Sequence, residues 1–184
     1  MSDNEPAWVT DVLRFWFAEL AELDWFVRND AVDGRIRQRF LSLHGDLTAE
    51  AGVPLTSPPR MLLAAVLVLD QFSRNLYRDH PRAFAADADA RKLVRGIIAR
   101  GFDRAMTPRE RLFAYLPFEH SEDVDDQALA VRLIEALGNE YWTRYALAHQ
   151  VAIARFGRFP YRNAALGRVS TADEVTYMND AAKA

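Results

Sequence analysis

Residues 61–72 read MLLAAVLVLDQF and directly follow Pro58, Pro59 and Arg60. Proline is favoured at the start of a helix, because its fixed φ suits the first turn and its missing N–H is not needed there. The helix predicted over this stretch is apolar on every side, and a helix of that kind is surrounded by other elements. We therefore expect this helix to lie at the centre of the fold.

Helix signals recur on both sides of this stretch, whereas strand signals do not. The sequence contains 29 Ala and 20 Leu but only 5 Ile and 7 Thr, a composition that favours helix over sheet. We predict an all-α fold of seven to eight helices, stacked as antiparallel hairpins in a single domain over residues 1–184. Of the other expected helices, the first begins near Pro6 with Asn4 as its cap, and the next two cover about Asp30–Leu47 and about Arg82–Arg100. Another begins at the capping box of Thr107 and ends at Pro117, and the one after it runs from the acidic stretch Glu122–Asp126 to Gly138. Of the last two, one covers about Asn139–Phe156 and the other begins at Thr171–Glu174. Residues 51–59 are predicted to form a rigid connector.

Composition and charge exclude several classes of function. The chain has no cysteine, which excludes disulfides, thiolate nucleophiles and cysteine-based zinc sites. The net charge of −3 argues against a dedicated nucleic-acid binder, although Arg outnumbers Lys by 21 to 2. The longest apolar run covers residues 61–69, and a membrane-spanning helix needs about 20 residues. The N-terminal segment is acidic and lacks the pattern of a signal peptide, so we expect a cytoplasmic protein without membrane or nucleic-acid partners.

Polar residues follow the apolar helix in the stretch 70–78, DQFSRNLYR. Asp70 and Arg74 have the i,i+4 spacing of a helical ion pair, and Gln71 and Asn75 lie on the neighbouring face. One interpretation is a polar cluster that lines a pocket. The alternative is an internal ion-pair and amide network that holds the helix to its neighbours, because buried polar groups must be satisfied in either case.

A second polar stretch, 115–123, reads YLPFEHSED and contains the pair Glu119–His120. A histidine among acids suits acid–base chemistry. No metal-ligand spacing such as H-E-x-x-H is present, and we predict neither a metal nor a cofactor. The alternative is structural, with Glu122 and Asp123 as first-turn acids of the next helix and Ser121 as its cap.

A third stretch, 155–163, reads RFGRFPYRN, in which Arg and aromatic residues alternate. Arg158 and Arg162 are candidates for gripping an anion with their planar guanidinium groups. The alternative is that they bond to the last carbonyls of the preceding helix and stack on the neighbouring aromatic rings. His149 lies on the apolar stripe of that preceding helix and is predicted to pack inward, whereas His44 and His80 are predicted to be surface residues.

These three stretches carry a family resemblance. DQFSRNLYRD, RLFAYLPFEHSED and RFGRFPYRNAALGRVST, together with VLRFWFAE near the start, resemble the uncharacterised bacterial family called domain of unknown function 924. The resemblance implies an all-helical fold similar to the right-handed superhelix of tetratricopeptide proteins, with no assigned activity. The family usually has Pro where this chain has Ser73, and often His where it has Tyr161. The second departure weakens any mechanism that needs an imidazole beside Arg162.

The residues favour a function in binding a small anionic ligand within a polar pocket lined by Asp70, Arg74, Asn75, Glu119, His120, Arg158, Arg162 and Asn163. Arg74, Arg158 and Arg162 would grip the anion, while Asn75 and Asn163 would orient it. The acidic groups of Asp70 and Glu119 would hold the guanidinium groups in place. An alternative is a protein–protein interaction scaffold in which the polar clusters are structural. A second alternative is a hydrolase that uses Glu119 and His120.

Overall fold

Helices make up the regular structure of residues 5–49 and 52–181, the part of the chain that the computed structural model describes, and no strand occurs in those ranges. This confirms the predicted all-α class. The elements are α1 (Ala7–Arg14) continued by a π-helical turn (Phe15–Glu19), α2 (Asp30–Thr48), α3 (Pro59–Val66) continued by a second π-helical stretch (Leu67–Phe72), α4 (Ser73–Leu76), α5 (Asp87–Ala99), α6 (Pro108–Glu119), α7 (Val124–Glu135), α8 (Glu140–Phe156) and α9 (Ala172–Ala181).

The apolar stretch at 61–72 is central, as predicted. The continuous helical segment from Pro59 to Leu76 buries every side chain between Leu62 and Phe72, including Asp70 and Gln71. It packs against α1, α2 and α5. The sequence specifies this position because only a helix surrounded by others can bury apolar residues on all sides.

The chain divides into two compact units, each with its own packing. The first comprises the residues up to Arg78 together with Arg82–Ala114, and the second comprises Asp79–Pro81 and the residues from Tyr115 onward. In the first unit, rings of Phe15, Trp16, Phe40, Phe72 and Phe113 contact one another. In the second, α7 packs against α8, and α9 packs against the turn Pro160–Arg162. The expectation of a single domain, and that of a tetratricopeptide-like superhelix, stay predictions.

Several helix ends agree with the residues that begin or end them in the sequence. Asn29 accepts N–H bonds at the start of α2, Asn139 caps α8, and Gly157 ends α8 with a left-handed φ of 68°. The capping box at Thr171 and Glu174 begins α9, as predicted. The predicted cap at Asn4 and the first residue of the connector, Ala51, lie outside the described residues, whereas 52–58 are non-helical as expected.

Two predicted boundaries are wrong. The fourth predicted helix begins at Asp87 rather than at Arg82, because residues 81–86 form tight turns with i→i+3 bonds from Ala85 N–H to Arg82 O and from Asp87 N–H to Phe84 O. The helix expected to end at Pro117 continues to Glu119. Helical bonding resumes immediately, since the N–H of His120 donates to the carbonyl of Leu116 at 2.8 Å. Among the described residues, no helix is long and apolar enough to span a bilayer.

Candidate functional site

The polar residues at the end of the central helix are joined to neighbouring helices of the first unit. Asp70 is fully buried, and its carboxylate lies 3.1 Å from Nη1 of Arg74, which confirms the i,i+4 pairing. Arg74 also donates to both carboxylate oxygens of Asp87 on α5, at 3.0 and 3.1 Å. Gln71 donates to Asp70 at 2.6 Å. These contacts link the central helix to α5 through two buried carboxylates and the partly buried Arg74.

Asn75 belongs to a second network in the same unit. Its Nδ2 donates to Asp33 of α2 at 2.7 Å, and Arg78 donates to both carboxylate oxygens of the same residue. The amide therefore holds a carboxylate of the neighbouring helix. A direct role of Asp70, Arg74 or Asn75 in ligand binding stays a prediction.

Glu119 pairs with a histidine on α8, in the second unit. Its Oε1 lies 3.2 Å from Nδ1 of His149, and the side chains are 6% and 24% exposed. The same Nδ1 lies 2.9 Å from the carbonyl of Tyr145. Because both neighbours are acceptors, the ring proton belongs on Nδ1. The carboxylate and the carbonyl thereby fix the orientation of the ring and leave Nε2 as the basic position in the neutral form.

His149 was predicted from its helical stripe to be an inward-facing core residue. The ring packs edge-on against Phe159, with centroids 5.3 Å apart, and lies 6.3 Å from the ring of His120. It is thus partly inside, as the stripe indicates, but it also contacts a buried carboxylate. The contact of His149 with Tyr145 follows from their spacing of four residues on one helix. The contact with Glu119 could not be predicted from the sequence, because it joins α6 to α8.

Arg162 is the charged residue at the centre of this region, with 4% of its surface exposed. Its guanidinium lies over the ring of Phe159 at 4.6 Å and near that of Tyr161 at 5.6 Å. Its Nη2 donates to the carbonyl of His120 at 2.9 Å. Stacking and the hydrogen bond hold the guanidinium plane in one orientation. We refer to Glu119, His120, His149, Phe159, Tyr161 and Arg162 as the Arg162 cluster.

Arg158 and Asn163 point to α9. Arg158 donates to both oxygens of Glu174, at 2.7 and 2.9 Å, and to the carbonyl of Val169 at 3.0 Å. Asn163 donates to Ser170 and Glu174, and its buried Oδ1 has no hydrogen-bond partner among the described residues. The bonds from Arg158, the Thr171 N–H and Asn163 lower the pKa of Glu174 to about 2, and the carboxylate raises the pKa of Arg158.

Glu122 is a contributor that the sequence analysis assigned only to the helix start. It accepts from both Nη atoms of Arg168, at 2.9 and 2.8 Å, and from the backbone N–H of Phe159 at 2.9 Å. Burial by itself raises the pKa of Glu122, but these hydrogen bonds outweigh it and lower the pKa overall. The carboxylate thus anchors the backbone of the residue on which Arg162 stacks. The predicted cap of α7 at Ser121 is wrong: the cap is Asp123, whose side chain accepts the N–H groups of Asp125 and Asp126, while Ser121 donates to Asp126.

The eight predicted site residues therefore fall into separate groups. Glu119, His120 and Arg162 meet in the Arg162 cluster, and Arg158 with Asn163 contacts Glu174. In the first unit, Asp70 and Arg74 share one network and Asn75 belongs to another. An open groove of about 460 Å³ at the α7–α8 turn, lined among others by Asn139, Thr143 and Leu147, contains none of the eight.

One predicted surface histidine is buried. His44 is 4% exposed, and its Nε2 lies 2.7 Å from Oγ of Ser73, which itself donates to the carbonyl of Leu69. The prediction failed because His44 lies on the same face of α2 as the core residues Ile36 and Phe40. Burial, together with the charge of Arg82, lowers the pKa of His44. In residues 5–49 and 52–181, no group of three or more His, Asp or Glu side chains is arranged to hold a metal ion.

The fold and the cluster define a class: an all-helical protein in which a histidine–carboxylate pair lies beside a stacked arginine. The chain belongs to a bacterial family of unknown function, DUF924, whose model matches residues 12–182. A solved structure of a protein of unknown function from Agrobacterium tumefaciens is similar, with 33% sequence identity and a TM-score of 0.84 over 94% of this chain and 97% of that one. None of the curated proteins matches. The predicted family resemblance is confirmed, and no activity comes with it.

Proposed function

We propose that the protein binds a small anionic ligand at the Arg162 cluster of the second unit. The observation that carries the proposal is the fixed, almost completely buried guanidinium of Arg162 on the ring of Phe159. A guanidinium whose plane is already set loses little freedom when it forms parallel hydrogen bonds to a carboxylate or phosphate. The imidazole rings of His120 and His149 lie in the same cluster, with their centroids 6.3 Å apart.

A ligand can reach the cluster from solvent, because two of its side chains are partly exposed. Tyr161 is 54% exposed and its ring lies 5.4 Å from that of Phe159, while His149 retains 24% exposure. A site that combines aromatic walls with a few fixed polar groups is typical of small-molecule binding. The Tyr161 hydroxyl would occupy the rim, where the family often has an imidazole.

The ligand set proposed here is narrower than the sequence suggests. The contacts of Arg158 and Asn163 with Glu174 favour a structural role in holding α9, and those of Arg74 and Asn75 favour holding α5 and α2. We also propose a cytoplasmic location and, as the alternative to a small ligand, a protein partner. We propose that the protein binds no nucleic acid, membrane, metal or cofactor.

A thermal-shift screen against phosphates, small carboxylates, nucleotides and divalent metals, with a chelator control, tests this function. A ligand at 100 times its dissociation constant adds about 2.7 kcal/mol of stability. In a chain of this length, that raises the unfolding midpoint by roughly 5 to 10 °C. We expect such a shift with an anion for the wild type and for Arg158→Ala, but not for Arg162→Ala. Shifts with metals alone, or no shift with any compound, would contradict the proposal.

Acid–base catalysis is a second candidate function, favoured by the pairing of Glu119 with His149. A carboxylate that orients an imidazole through Nδ1 raises the basicity of Nε2 and stabilises the imidazolium that forms on protonation. The hydrolase alternative therefore uses Glu119 and His149, rather than Glu119 and His120 as the sequence suggested.

Hydrolysis of p-nitrophenyl phosphate and p-nitrophenyl acetate distinguishes the two histidines. If His149 is the base, His149→Gln lowers kcat by about 10²- to 10⁴-fold, the usual contribution of a general base. His120→Gln serves as the matched control and should retain most of the activity. Equal losses in both variants, or equal activity in both, would contradict the assignment to His149.

A further inference from the structure

One face of α8 exposes large hydrophobic side chains alongside two arginines. Tyr141, Arg144, Ala148, Val151 and Arg155 follow one another at spacings of three, four, three and four residues, and all five are exposed. Tyr141 and Val151 are 45% and 58% exposed, although both are large hydrophobic side chains. The 3,4 spacing places all five on one side of the helix, as in the contact seam of two paired helices. We refer to these five residues as the α8 face.

The tyrosine of the face, Tyr141, is held in place by Arg144 and by the neighbouring Tyr145. The rings of Tyr141 and Tyr145 lie 4.8 Å apart, their hydroxyl oxygens are 3.2 Å apart, and Arg144 lies over both rings at 5.4 and 5.9 Å. A rigid, preorganised surface costs less side-chain entropy on association than a mobile one. This arrangement suits a contact with another protein surface.

We propose that this face pairs with the same face of a second copy of the chain, with the two α8 helices antiparallel about a two-fold axis near Ala148. The charges at the two ends of α8 support a second copy as the occupant. Glu140 lies at the N-terminal end and Arg155 at the C-terminal end, and neither makes an ion pair within the described residues. An antiparallel pair brings Glu140 of each copy to within about one turn of Arg155 of the other.

The middle of the face fits the same arrangement. Ala148 lies midway between the two charged ends, and its small side chain lets two helices approach closely at the crossing point. A symmetric contact uses the same patch on both copies, so that each favourable pair is formed twice. Tyr145 of one copy then lies near Val151 of the other. A contact limited to two helices is smaller than the about 800 Å² per partner of a standard interface, so we expect a concentration-dependent dimer.

Sedimentation velocity over a wide range of protein concentrations tests the pairing. The wild type should shift from monomer to dimer as concentration rises. Ala148→Glu places two carboxylates at the two-fold axis and should remain monomeric. The matched control is Ala88→Glu, an equivalent exposed substitution on α5, which should dimerise like the wild type. Circular dichroism verifies that each variant is folded.

A charge exchange makes the test specific for the antiparallel geometry. Glu140→Arg alone should weaken dimerisation at least tenfold, because it places two arginines together at each end. The double variant Glu140→Arg, Arg155→Glu restores both pairs and should recover the wild-type dissociation constant. A wild type that is monomeric at every concentration, an Ala148→Glu variant that dimerises normally, or a double variant without recovery would overturn the proposal.

Discussion

At the scale of single residues, the arginines at positions 158, 162 and 168 differ in what they contact. Arg158 and Arg168 each donate to both oxygens of one carboxylate, whereas Arg162 stacks on an aromatic ring and donates to a carbonyl. The first two arrangements hold segments of the chain together. The third keeps a cation in fixed orientation within a cluster that also contains two histidines.

The pKa of Glu174 predicts a pH dependence of stability. A carboxyl whose folded pKa is about 2, against the ordinary 4.5, contributes stability above pH 4.5 and loses it as the pH falls towards 2. Glu174→Gln should therefore be less stable than the wild type at pH 7, and the difference should shrink between pH 4.5 and pH 2. Urea denaturation at a series of pH values measures it. A difference that is constant over this range would contradict the assigned role of the carboxylate.

His44 predicts a second pH dependence, in a different range. Its pKa is lowered in the folded state, so below the ordinary value of 6.5 the unfolded chain binds protons more readily. The stability of the wild type should fall as the pH drops from 7 to 5, and His44→Gln should reduce this slope. The exposed His80, changed to Gln, is the control and should leave the slope as it is. An unchanged slope in His44→Gln would show that its titration does not contribute.

Single residues also show how far sequence reasoning reaches. The pair Asp70–Arg74 was predictable because both members lie on one helix at a fixed spacing. The pair Glu119–His149 was not, since helical periodicity contains no information on which residue of α6 faces which residue of α8. Arg158 and Arg162 look equivalent in sequence and differ only through their three-dimensional neighbours.

At the scale of elements, helix ends follow local chemistry. Caps and positive-φ glycines were readable at the starts of α2, α8 and α9 and at the end of α8. The start of α5 was not, because the alanines of residues 83–90 suit both a turn and a helix. Pro117 was misleading, since the surrounding helical bonds tolerate one missing donor.

The cap of α8 makes a prediction at this scale. Oδ1 of Asn139 accepts the N–H of Trp142 at 3.1 Å. Asn139→Ala removes this bond and should lower the free energy of unfolding by about 1 kcal/mol. Chemical denaturation at neutral pH measures the loss. Gln150→Ala on the same helix is the control, because it removes an amide from a position that is not a cap, and an equal loss there would contradict the capping role.

At the scale of the whole molecule, the apolar sequence at 61–72 determines where the core lies. Phe72 is fully buried and contacts the rings of Phe15, Trp16 and Phe40. Phe72→Ala should reduce the free energy of unfolding by about 3 to 5 kcal/mol through lost burial and a residual cavity. Leu41→Ala, at an exposed site on α2, should change it by less than about 0.5 kcal/mol. Similar losses in both variants would contradict the central position of this helix.

The measurement that tests anion binding most directly is isothermal titration calorimetry with the anion that gives the largest thermal shift. Wild-type protein should bind it, and Arg162→Lys, which keeps the charge but removes the planar fork, should bind at least tenfold more weakly. Arg158→Lys, at an arginine that contacts Glu174 instead of the cluster, is the matched control and should bind like the wild type, with circular dichroism verifying that both variants are folded. Should Arg162→Lys fail to fold, Tyr161→Ala at the exposed rim replaces it, with the same weakening expected. Two results would contradict the assignment of the ligand to the Arg162 cluster. One is equal affinity in the wild type and in Arg162→Lys (or in Tyr161→Ala, where that variant replaces it), and the other is no binding by the wild type.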